Sequence, residues 1–166
     1  MKSLLKSFGY AFRGIWYALK YERNMRIHFT CMVYMYTFLT VYDFFEVTRT
    51  QLAVLFAANA LVVALELVNT AVERTVDLAS EQYTEKGKIA KDTAAGAVLV
   101  AAIFAVGIGI SILGQKAAFV SLFQYYCDKP YMLALLLLSV VLATIFIFKG
   151  FGKYSAQGNN ENSGKD

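Results

Sequence analysis

A chain of 166 residues that is 58% hydrophobic, with mean hydropathy +0.49 and a single Pro, is too apolar for a soluble domain, which runs at about 45–50%. The net charge is +4, but the basic residues sit in segments between apolar runs, and nucleic acid is set aside as a partner. Cys31 in an apolar run and Cys127 in an expected loop make neither a disulfide framework nor a zinc spacing. The length allows one compact bundle.

Residues 1 to about 24 predict an interfacial helix. Leu4, Leu5, Phe8, Phe12, Ile15, Trp16 and Leu19 recur at helical spacing, and Lys2, Lys6, Arg13, Lys20 and Arg23 supply the other side. A basic helix with Trp and Phe opposite its charges lies in the headgroup layer. The first apolar run begins only near Ile27 and no small-residue cleavage site follows, so this segment is expected to be retained rather than cleaved as a signal peptide.

Span one is expected at about 27–45, rich in Tyr, Phe and Thr. Span two follows at about 51–72, then a polar link, 73–92, then span three at about 93–113. In span three Ala97, Ala101, Ala105 and Gly109 form a strip of small residues suited to close helix packing. Gly107-Ile108-Gly109 lacks the preceding strand and third glycine of a nucleotide-binding loop. A loop, 115–130, leads to a last apolar run at about 131–148, an additional C-terminal transmembrane helix. The tail from Gly150 is polar and expected to be disordered. The expected architecture is an all-α integral membrane protein with a core over 1–114, a loop and extra span over 115–149, and a tail over 150–166. With the N-terminus inside, thirteen basic residues fall on the cytoplasmic side and three outside, which predicts a multi-pass protein of the inner membrane with a cytoplasmic N-terminus.

The chain is organised around Leu65 to Asp92. Successive helical residues turn by about 100°, so Glu66, Asn69, Glu73 and Asp77 fall within an arc of roughly 80°. Ionisable groups entering a membrane segment are costly and read as functional by default. A face of three carboxylates and one amide running from bilayer to water suits a metal and something phosphorylated.

Glu66-x-x-Asn69-Thr70-Ala71-x-Glu73-x-x-Val76-Asp77, followed by Ala90-Lys91-Asp92-x-Ala94-Ala95-Gly96-Ala97-Val98, resembles the small prokaryotic diacylglycerol kinases. The upstream Glu22-Arg23-Asn24-Met25-Arg26-Ile27-His28 is similar to the undecaprenol kinases of that family. The resemblance covers roughly residues 5–114. It implies ATP- and Mg²⁺-dependent phosphorylation of a membrane lipid hydroxyl at the cytoplasmic face, with undecaprenol preferred as acceptor and diacylglycerol the alternative. It also implies a homotrimer. In this reading Glu22 and Glu73 hold the metal, as Mg²⁺ prefers carboxylate oxygens with phosphate and water. Glu22 alternatively pairs with Arg26 one turn on. Glu66, two turns deeper, meets the lipid hydroxyl and accepts its proton, or else serves as interhelical hydrogen-bond glue.

Asn69 either orients Glu66, contacts substrate, or makes a structural polar contact. By the same resemblance Asp77 and Arg26 are expected to support the site. The resemblance places Lys91 and Asp92 at ATP; Lys91 is a point charge suited to phosphate, and Asp92 alternatively caps the next helix. Tyr10 matches a nucleotide-contacting position, or anchors in the headgroups. Gln82-Tyr83-Thr84 stands where close relatives often carry Glu-Tyr-His; these three are expected at the nucleotide, with Glu81 or Glu85 as substitutes for the missing carboxylate. His28, the one histidine, is more naturally an interfacial hydrogen-bonder than a base.

Two rival classes remain. A non-catalytic helical bundle would pair Glu66 and Glu73 with basic residues. A cation-transport subunit would need more polar residues deep in spans one and three; span one offers Thr30, Thr37 and Thr40, but the interior of span three offers none before Ser111.

Overall fold

The computed structural model describes residues 2–79 and 82–150, and every regular element among them is a helix. The expected tail over 151–166 and Glu81 lie outside the described residues. The elements are α1 (Lys2–Tyr21), α2 (Arg23–Val41), α3 (Arg49–Ala79), α4 (Glu85–Leu113), α5 (Lys116–Asp128) and α6 (Pro130–Lys149). α3 and α4 pack along one another as an antiparallel hairpin. α2 lies against α3 on one side and α6 on the other, and α1 touches both α2 and α3.

The buried apolar set is small: Ala18, Met25, Leu55, Val62, Val98, Ala101, Ala118 and Tyr126. Leu, Val, Ile and Phe side chains are exposed along α3, α4 and α6, as they are when the solvent outside the bundle is hydrocarbon. Among the described residues four polar ones are buried as well: Arg26, Glu66, Asn69 and Thr70.

Among the described residues three helices, α3, α4 and α6, are long and apolar enough to cross a membrane. α2, the expected first span, falls short of that measure because Arg23, Asn24, Arg26 and His28 crowd its first two turns. It nonetheless packs beside α3 and α6. α3 has 31 residues and α4 has 29, or about 45 Å each at 1.5 Å per residue. The hydrocarbon core is about 30 Å. Both helices therefore overrun it, and the polar link expected over 73–92 is largely helix. Helix length follows from the backbone ladder, and Glu73, Arg74 and Asp77 continue that ladder into water as readily as Leu.

The expected loop over 115–130 contains α5. Gly114 ends α4 and Pro130 opens α6 at its first turn, where a missing N–H costs nothing. Between these two breakers Ala118, Leu122, Tyr125 and Tyr126 lie on one side of a short helix. Its far-end contacts are specific. Tyr42 and Tyr126 share a hydroxyl hydrogen bond of 3.0 Å, and Tyr125 meets the Tyr42 ring edge-on. Gln115 donates to Glu46 O (2.9 Å) and accepts from Glu46 N (3.1 Å), joining the α2–α3 and α4–α5 connections. Of the small-residue strip on α4, Ala101 is buried whereas Ala97 is exposed within the single chain; Val98 takes the neighbouring buried position.

Candidate active site

The acidic face of α3 runs from buried to wet. Glu66 is 2% exposed and Asn69 5%; Glu73 is half-buried and Asp77 exposed. Glu66 and Asp77 are eleven residues apart, about 16 Å along the axis. Asn69 Nδ2 donates to Glu73 Oε1 at 3.0 Å. That bond fixes the amide, and leaves Asn69 Oδ1 and Glu66 Oε2 buried with no hydrogen bond from the protein. Buried acceptors are ordinarily satisfied. Two adjacent ones suit a donor from outside the chain: a hydroxyl, or a cation. No basic side chain is paired with either Glu66 or Glu73 among the described salt bridges, contrary to what a purely structural bundle requires.

Glu22 joins this face from another element. It is the hinge between α1 and α2, with extended backbone (φ −94°, ψ 119°). Its carboxylate accepts from Arg74 Nη2 at 3.0 Å, and the Arg74 guanidinium stacks over the Tyr17 ring. The expected alternative partner, Arg26, is engaged elsewhere. Its Nε donates to Ile147 O and its Nη1 to Lys20 O, each at 3.0 Å. Among the described residues no three His, Cys, Asp or Glu side chains gather as a ready-made metal cage. Mg²⁺ does not demand one, since it is usually held by one or two carboxylates together with substrate phosphates. Glu22 and Glu73, beside unsatisfied acceptor oxygens, fit that donor set.

Where α3 and α4 emerge, a cavity of about 310 Å³ opens at their turn. It gathers six of the residues singled out in the sequence: Asp77, Gln82, Tyr83, Thr84, Lys91 and Asp92. Val76, quoted in the motif without a role, completes it together with Gly87 and Lys88, which were not anticipated. Lys88 carried a sequence signal, one turn before Lys91 on the same helix. Lys91 Nζ is ion-paired with Asp77 Oδ1 across the hairpin. Thr84 caps α4, its Oγ1 accepting from Gly87 N at 3.1 Å, so Asp92, well inside the helix, is not the cap. Gly87 is required by closeness: a Cβ there would stand 2.8 Å from Thr84 Oγ1 and 3.0 Å from Val76 Cγ1. Glu85, in the first turn of α4, lies outside the cavity lining.

One expected site residue, Tyr10, stands apart. Tyr10 is 63% exposed on α1, its ring against the Arg13 guanidinium, and does not line the cavity. His28 is half-buried on α2, one turn beyond the hinge region.

A family model for prokaryotic diacylglycerol kinases matches residues 9–113. A diacylglycerol kinase of Synechocystis sp. is 46% identical over 113 residues, covering 67% of this chain and 62% of that protein. The match thus spans less than two thirds of that relative's length. An undecaprenol kinase of Bacillus subtilis is 38% identical over 118 residues, covering 70% of this chain and 92% of that protein. No solved structure matches significantly.

Proposed function

This chain belongs to the prokaryotic diacylglycerol kinase family, and from that footing we propose that it transfers the γ-phosphoryl group of ATP to the hydroxyl of a membrane lipid. One observation supports the reading above the rest: a buried glutamate whose Oε2 receives no hydrogen bond lies on the same helix face as a carboxylate ladder leading to a polar cavity that holds Lys88 and Lys91.

Glu66 accepts the proton of the lipid hydroxyl as its oxygen attacks the γ-phosphorus and ADP leaves. Such a positioned base is worth about 10²–10⁴ in rate. Asn69, tied to Glu73, keeps the two glutamates in register and offers Oδ1 to the substrate. Glu22 and Glu73 would hold Mg²⁺, which, when bound, neutralises charge on the triphosphate. Lys91 and Lys88 supply positive charge for phosphate oxygens, and Gln82, Tyr83 and Thr84 border the nucleoside. Asp77 orients Lys91. The site lies on the cytoplasmic side, as the basic-residue bias favours. A reporter fused after Asp166 that proved extracytoplasmic would overturn this topology. Tyr10 contacts the nucleotide only if another copy of the chain brings it there, as in the proposed homotrimer.

Undecaprenol is the proposed acceptor, on the strength of Glu22-Arg23-Asn24-Met25-Arg26-Ile27-His28. The more similar of the two relatives reported above is a diacylglycerol kinase, which favours diacylglycerol as the second reading. Purified protein, labelled ATP and each lipid in turn, with and without Mg²⁺, decides between them. Good transfer to diacylglycerol beside none to undecaprenol reverses the choice, and transfer to neither removes the kinase reading.

A further inference from the structure

The family match ends at residue 113, so α5 and α6 lie beyond it. Among the described residues, two hydrogen-bonded attachments nevertheless pin α6 to the matched region. Tyr34 and Ser139 share a hydroxyl hydrogen bond of 2.9 Å. Two turns closer to the site, Arg26 makes the second attachment.

Arg26 is 6% exposed. Its Nε donates to Ile147 O and its Nη1 to Lys20 O, at 3.0 Å each. Ile147 is in the last turn of α6 and Lys20 in the last turn of α1. The final four carbonyls of a helix have no partner within it, and the C-terminal end favours a cation. One planar fork therefore satisfies two helix ends from the first turn of a third helix. The fit extends to Gly150, which ends α6 at φ +56°, where a Cβ would stand 2.9 Å from Arg26 Nη1. Only glycine passes there without displacing the guanidinium.

Between Lys20 and Arg26 lies Glu22. Its N–H donates to Ala18 O at 2.8 Å and its carbonyl accepts from Arg26 N at 3.4 Å. The hinge carrying the carboxylate is thus bracketed by the two residues that the Arg26 side chain and backbone tie together. We propose that α6 is a brace for the active site: through Arg26 its C-terminal turn fixes the α1–α2 hinge and so the position of the Glu22 carboxylate. Arg26 is then a positioning residue whose anchor lies outside the family-matched region. The inference rests on Glu22 holding the metal, as proposed above.

The test uses the full chain in micelles, with Gly150→Val, the milder Gly150→Ala, and Ser139→Ala as a control that loses only the upper pin. Amide hydrogen exchange over residues 20–26 reads the hinge, and Mn²⁺ binding followed by electron paramagnetic resonance reads the carboxylates. Gly150→Val is expected to speed exchange over 20–26 about tenfold, as local opening does. It should weaken Mn²⁺ binding about tenfold, the usual loss when a supporting contact is removed. Gly150→Ala should do less of both, and Ser139→Ala neither. Unchanged exchange over 20–26 in both Gly150 variants overturns the brace. Faster exchange with unchanged Mn²⁺ affinity shows a hinge that does not govern the site, and overturns it too. Glu22→Gln, run in parallel, isolates the premise. If that variant binds Mn²⁺ like the parent, the metal assignment fails and the brace's function with it, whatever the exchange data give.

Discussion

Arg74 Nη2 stands 3.0 Å from Glu22 Oε1, bridging the water-facing part of α3 to the hinge between α1 and α2. The cation occupies an oxygen that the proposed chemistry needs for Mg²⁺. The pair is partly exposed (37% and 22%), so it contributes little to stability, about 0–1 kcal/mol, and is readily exchanged. Arg74→Met should therefore free Glu22 and lower the half-saturating Mg²⁺ by a few-fold, while Glu22→Gln raises it. Mg²⁺ titrations of the two variants that moved in the same direction would contradict this competition.

Glu66→Gln keeps the shape of the buried side chain and removes its capacity as a base. Turnover should fall by about 10²–10⁴. Burying an unpaired charge is costly, so the neutral amide should leave thermal unfolding in detergent unchanged or slightly raised in temperature. Near-normal turnover would take Glu66 out of the mechanism.

Gly87→Val places a side chain where Thr84 Oγ1 and Val76 Cγ1 already stand. The α3–α4 turn must open, and the cavity with it. The expected result is a KM for ATP raised about tenfold with the KM for lipid unaltered, because the acceptor end of the face lies deeper in the membrane. Thr84→Ala should cost about 1 kcal/mol of stability through the lost cap. A parallel change in both KM values would show that the turn does not belong to the nucleotide alone.

Lys91 and Asp77 are ion-paired across the hairpin. Lys91→Met removes the charge proposed for phosphate and should raise the KM for ATP about tenfold. Asp77→Asn leaves the lysine in place but loosens it, and should have a smaller effect in the same direction. If Asp77→Asn proved the more damaging, Asp77 would have a role of its own, and the orienting one given to it would be wrong.

Much of this was legible one residue at a time. Glu66, Asn69, Glu73 and Asp77 share a face because helical geometry leaves them no other arrangement, and the structure grades them from buried to wet along that face. Lys91 and Asp92 were likewise implied by the motif, and Gln82, Tyr83 and Thr84 were expected beside them although they depart from the family pattern; the α3–α4 turn folds all five around one cavity. Other features depended on segments distant in sequence. Glu22 had a plausible partner one turn away in Arg26, but the chain pairs it with Arg74, 52 residues on. Val76 and Gly87 line the cavity only because two long helices approach closely there. The loop expected at 115–130 contains a helix, since Gly114 and Pro130 bracket an amphipathic segment too short for its period to stand out.

Composition alone determined that this chain lives in a membrane, because so much apolar surface has no other stable solvent. Helical periodicity determined that its acidic residues line one stripe. Which carboxylate faces which cation, and that a C-terminal helix outside the family match seats the guanidinium at the α1–α2 hinge, was decided only by tertiary structure. Those contacts join residues up to 121 positions apart, and no local repeat encodes them. They arise because unpaired carbonyls at helix ends, once brought together by packing, take the nearest donor able to satisfy them.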